Sequence, residues 1–170
     1  MDAPRRGYRA NLEDLIAQAR AAHAELLERV PAGVAASLPV DATGVTQGID
    51  VLASALGIEA EVRARRDRLH RANPAVLHGR VFGRTEPLSA DTVLAAFADG
   101  ARVRRALLED LASAIAGDEL AAEVAALLDE HPPPAADTPA PDRMRDLRAA
   151  YAAQERAVLL CAERLDAEQR

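Results

Sequence analysis

Apolar residues recur at helical spacing over most of this chain. The clearest case lies near the C-terminus. Met144, Leu147, Tyr151, Gln154, Val158, Cys161 and Leu165 step alternately by three and four, a narrow stripe broken once by a polar Gln. Leu94, Phe97, Ala101, Arg104, Leu108, Leu111 and Ile115 repeat the rhythm, with one Arg in the stripe. Such stripes must be buried against other helices, so the pattern predicts an all-α fold, a four- to five-helix bundle in one domain.

The spacing and the stop signals place the elements. A first helix is predicted over 11–30, with Asn11 and Asp14 as a capping box and Leu12, Leu15, Ile16, Ala19, Ala22, Leu26 and Val30 facing inward. Pro31 stops it, and 31–44 reads as a connection. A second helix starts near Thr46 and runs to about Ala72, with Gly57 as a kink or restart. Residues 74–88 have no helical period and read as a hairpin or an ordered loop. Ser89 is the expected N-cap of a third helix ending at Gly117, and Asp118 that of a fourth ending at His131. The Pro-rich stretch 132–141 reads as a stiff, extended linker able to span roughly 30 Å. It leaves the final helix free to pack in cis on its own bundle or in trans on a second copy. If that helix packs on the third, Gln154 and Arg104 could pair.

Composition sharpens the picture of the core. The chain has 40 Ala among 170 residues and four aromatics, Tyr8, Phe82, Phe97 and Tyr151, so closely packed helices around Leu, Val and Ala are expected. All 21 basic residues are Arg. The net charge of −6 argues against a general nucleic-acid binder. Cys161 is the single cysteine, which removes an internal disulfide framework and fits a cytoplasmic protein. No apolar run is long enough to span a membrane, and no apolar segment near Met1 suggests a secretory signal.

Against that acidic background, residues 63–71 stand out. They hold Arg63, Arg65, Arg66, Arg68 and Arg71 with one acid, Asp67. Guanidinium forks suit carboxylates and phosphates, so this strip is the candidate anion- or partner-binding site. The competing expectation is a solvated face with i,i+4 pairs, Glu59 to Arg63 and Glu61 to Arg65. A third is contact with Asp118, Glu119, Glu123, Asp129 and Glu130, within the bundle or across a dimer.

Arg65 and His70 lie within the same strip, and this spacing resembles the R-x4–6-H motif of HEPN-type helical ribonucleases. The resemblance covers six residues and implies a small all-α dimer. Arg65 and His70 would there be catalytic, assisting attack of a ribose hydroxyl on the adjacent phosphate. No paired Glu-x-x-His motif, nucleophile elbow or Gly-rich phosphate loop occurs, so no metal or cofactor is expected. The leading expectation is therefore a binding or scaffolding module without evident catalysis. Its partner would be a second copy of itself or another protein, with Leu147, Tyr151, Gln154, Val158, Cys161 and Leu165 as the packing or oligomer seam. RNA binding or cleavage at the Arg strip is the alternative.

Overall fold

The computed structural model describes residues 6–31, 43–72 and 90–170. They form α1 (Tyr8–Glu28), α2 (Thr43–Leu56), α3 (Glu59–Arg71), α4 (Ala90–Asp129) and α5 (Ala140–Glu168), with no strand among the described residues. The all-α bundle is as the apolar periodicity predicts. The expectations for 74–88 and for Ser89 fall outside the described residues.

Two glycines set the turns. Gly57 adopts φ +69 and separates α2 from α3. Gly117 adopts φ +70, and with Ala116 it interrupts the helical geometry of α4. That interruption is a reversal. Arg105 and Asp129 form an ion pair, whereas a straight helix would hold residues 24 apart at about 36 Å. The part of α4 after Gly117 therefore folds back on the part before it.

Cross-helix contacts fix the remaining directions. Tyr8 pairs with Asp166 and Arg20 with Glu155, so α1 runs antiparallel to α5. Arg143 meets Asp91, Tyr151 meets Phe97 and Gln154 meets Ala101, so α5 runs parallel to the first part of α4. Within this one chain α5 is the central helix, packed on α1, α2 and α4.

Small residues allow this density. A Cβ added at Gly48 would lie 2.7 Å from Val158 Cγ1 of α5, and one at Gly44 would lie 3.2 Å from the Ala19 Cβ of α1. Glycine at these positions lets the α2 backbone pack directly on Val158 of α5 and on Ile16 and Ala19 of α1.

The first helix departs from its sequence pattern at both ends. It begins at Tyr8 rather than Asn11, because Asp166 of α5 supplies the cap. One Asp166 carboxylate oxygen accepts the Tyr8 backbone N–H at 2.7 Å, and the other accepts that of Arg9 at 3.0 Å. At the other end the helix stops at Glu28, and Leu26, expected inside, is 53% exposed. The buried line runs through Leu12 and Ile16 to half-buried Ala19, His23 and Leu27.

The core has a larger and a smaller apolar cluster. A polar layer lies where they meet. Gln154 Nε2 donates to the Ala101 carbonyl at 2.7 Å, and Arg104 Nε donates to Gln154 Oε1 at 3.2 Å. The Arg104 guanidinium sits 4.9 Å from the centroid of the Tyr151 ring, and the Tyr151 hydroxyl donates to the Phe97 carbonyl at 3.3 Å. The two polar residues of the seams therefore face each other.

The Pro-rich segment is held against the bundle rather than standing free. Pro134 is buried, and its carbonyl accepts from Arg102. Arg143, only 8% exposed, donates to the carbonyls of Ala136 and Thr138 and meets Asp91 at 3.5 Å.

Candidate functional site

The arginine strip of the sequence is α3. Its local logic is that of a helix stabilised at its ends. Glu59 and Glu61 occupy the first turn and Arg68, His70 and Arg71 the last, each opposing the local end of the helix dipole. Val62 is the buried side chain of α3, with Leu69 half-buried beside it. Glu59, Ala60, Glu61, Arg63, Ala64, Asp67, Arg68 and Arg71 are all exposed.

The five guanidiniums do not form one face. At about 100° per residue, Arg65 and Arg71 lie about 120° apart around the axis, and Arg63 and Arg68 about 140° apart. Two of them are anchors. Arg66 reaches Asp50 of α2 at 2.7 Å, and Arg65 reaches Asp110 of α4 at 3.3 Å. The expected pairs Glu59–Arg63 and Glu61–Arg65 do not form: Arg65 reaches across to α4 instead, and Glu59 and Arg63 line one cleft without an ion pair. That cleft, about 230 Å³ between α2 and α3, is lined by Asp50, Ala53, Glu59, Val62, Arg63 and Arg66. Arg71 donates its Nε to the backbone carbonyl of Asp67 at 3.2 Å. Among the described residues, Glu61, Arg63, Asp67 and Arg68 take part in no ion pair.

Nor does the acidic end of α4 meet the strip within the chain. Asp129 holds Arg105, and its hydrogen bond raises that guanidinium above its ordinary pKa. Glu123 takes Arg164 of α5 at 3.1 Å. Asp118, Glu119 and Glu130 are exposed.

For the pair behind the ribonuclease resemblance, the helix sets a clear geometry. Arg65 and His70 point about 140° apart around α3. The Arg65 guanidinium is engaged by Asp110, and His70 is half-buried. Within one chain the two side chains do not converge on a common point.

The seam residues Leu147, Tyr151, Gln154, Val158, Cys161 and Leu165 are all buried in the chain's own core. In this conformation α5 has no seam left to offer a second copy. The buried charges were not flagged by the sequence pattern. Glu155 is 6% exposed and takes Arg20 of α1, whose guanidinium it raises above the ordinary value. Arg143 is buried four residues before Leu147, so its helical register with the seam was the available signal. Among the described residues there is no group of three or more His, Cys, Asp or Glu able to hold a metal ion, and no helix long and apolar enough to cross a membrane.

Fold and surface together define an all-α bundle that displays a charged helix on its outside. Comparison with protein-family models, with curated proteins and with solved structures finds no match for this chain.

Proposed function

We propose that this chain is a helical binding module, acting in the cytoplasm, that associates with itself or with a protein partner through α3. The observation that carries this reading is the character of α3. A helix that is polar nearly all round bridges between bodies, is laced by its own i,i+4 ion pairs, or is not stable alone. Among the described residues α3 has no internal i,i+4 ion pair. It is held by Val62, Leu69 and the two anchors to Asp50 and Asp110. A helix that adds so little to the core and shows so many fixed charges is suited to contact with another macromolecule. The buried thiol of Cys161 fits a reducing compartment.

The test is proximity labelling in the source cell, with the wild type and an Arg63→Ala/Arg68→Ala/Arg71→Ala variant that leaves both anchors intact. Neighbours labelled by the wild type and lost from the variant, untagged copies of the chain included, are the expected result. Identical labelling by two equally folded proteins would overturn the reading. Fluorescence anisotropy of labelled RNA at low and moderate salt separates the alternative. Salt-sensitive binding that the same variant loses would move the assignment to nucleic acid.

A further inference from the structure

Four charges on the exposed face of α3 stand in a self-complementary order, with a fifth, Arg71, beyond them at the C-terminal end. Down its middle run Ala60 and Ala64, four residues apart and both exposed. On one side of this alanine line lie Glu61 and Arg68, seven residues apart and so nearly in register along the axis. On the other side lie Arg63 and Asp67. The midpoint of Glu61 and Arg68 falls between Ala64 and Arg65, and that of Arg63 and Asp67 falls on Arg65. The two pairs therefore share one centre, within half a residue.

A two-fold axis through that centre, lying in the contact plane and perpendicular to the helix, keeps each side on its own side and reverses the helix direction. Glu61 then faces the Arg68 of a second copy, and Arg68 its Glu61. Across the alanine line, Arg63 faces a second Asp67 and Asp67 a second Arg63. Every one of these four side chains is exposed and, among the described residues, outside any ion pair, so the contact competes with no bond in the monomer. Ala60 and Ala64 let the two helices approach closely. We propose that α3 is the contact of a symmetric, antiparallel homodimer, with a second copy of this chain as the occupant of its outer face. The proposal rests on the binding-module reading above and narrows it to one partner and one set of pairs.

Two helices of 13 residues bury far less than the roughly 1,600 Å² of a standard interface. Exposed ion pairs are individually weak and screened by salt. The dimer is therefore a low-affinity one that forms at high protein concentration and low ionic strength.

Analytical ultracentrifugation of the full chain over a wide concentration range, at low and at high salt, reads it directly. At low salt the apparent mass is expected to rise from 18.1 kDa toward twice that value, and added salt should return it to the monomer. Arg68→Glu places like charges opposite each other and should abolish the rise, as should Glu61→Arg. The double variant Glu61→Arg/Arg68→Glu restores the complement with the signs exchanged and should restore the dimer. So should an equimolar mixture of the two single variants. Circular dichroism melts confirm that each variant is folded, and the double variant keeps the test valid if one single variant is not. A wild type that stays monomeric at the highest concentration and lowest salt overturns the proposal, while the labelling experiment still decides the broader reading. A dimer that ignores both reversals also overturns it and leaves self-association through another surface.

Discussion

Cys161 is fully buried in α5, and burial, with a smaller push from the Glu123 carboxylate, raises its thiol from 9.0 to about 12. The unfolded chain then loses this proton above pH 9 while the folded chain keeps it. Stability contributed by the neutral thiol is complete below pH 9.0 and is lost as the pH rises towards about 12. The slope approaches about 1.4 kcal/mol per pH unit inside that window. Urea melts at pH 8 and pH 10 should show a smaller loss for Cys161→Ala than for the wild type. Equal losses would refute the assignment. Gln154 is the second informative residue. Replacing it with Leu removes both hydrogen bonds that Gln154 makes and leaves the buried Ala101 carbonyl without that donor, a change expected to cost about 1–3 kcal/mol in a denaturant melt. Both seam positions were legible in the sequence, because three-four stepping identifies a buried stripe whatever its partner. The capping role of Asp166 was not legible, because it lies 158 residues from the amide it caps and no local window contains both.

At the scale of the elements, α2 depends on the absence of side chains. Gly48→Ala would force a methyl to 2.7 Å from Val158 Cγ1, a branched group on the central helix that has little room to give. A loss of about 1–3 kcal/mol is expected, as for other overpacked cores. Val158→Ala should recover part of it in the double variant, so a strictly additive pair would show that the two residues do not collide. Gly57 and Gly117 were recognised in the sequence as interruptions, since glycine both weakens a helix and permits positive φ. What the pattern missed was the fate of the helix between the first of these and Ala72. Five arginines in nine residues read as one strip. Asp50 and Asp110, which claim two of them, belong to other helices, so only the packed structure separates anchors from displayed charge. His70 and Arg65 diverge for the same reason: a spacing of five fits a motif in the sequence but not one face of a helix.

For the whole molecule, the bundle closes through α5 and the segment that precedes it. Arg143 is the fastening of that segment, and Arg143→Ala should leave residues 132–139 open to limited proteolysis at a protease dose the wild type resists. Unchanged cleavage would show that Arg102 and the burial of Pro134 suffice. The central helix is also the one reached last along the described chain, and this has a consequence during synthesis. Tyr8 and Arg9 emerge from the ribosome long before Asp166, which accepts their amides across 158 and 157 residues. At about 5–20 residues per second, the interval is roughly eight to thirty seconds. Throughout it, α1 lacks its cap and the apolar lines of α1, α2 and α4 lack the helix they close on. A nascent chain of this protein cannot complete its bundle piece by piece. It must carry its helices unfinished until α5 is released, and then assemble them together.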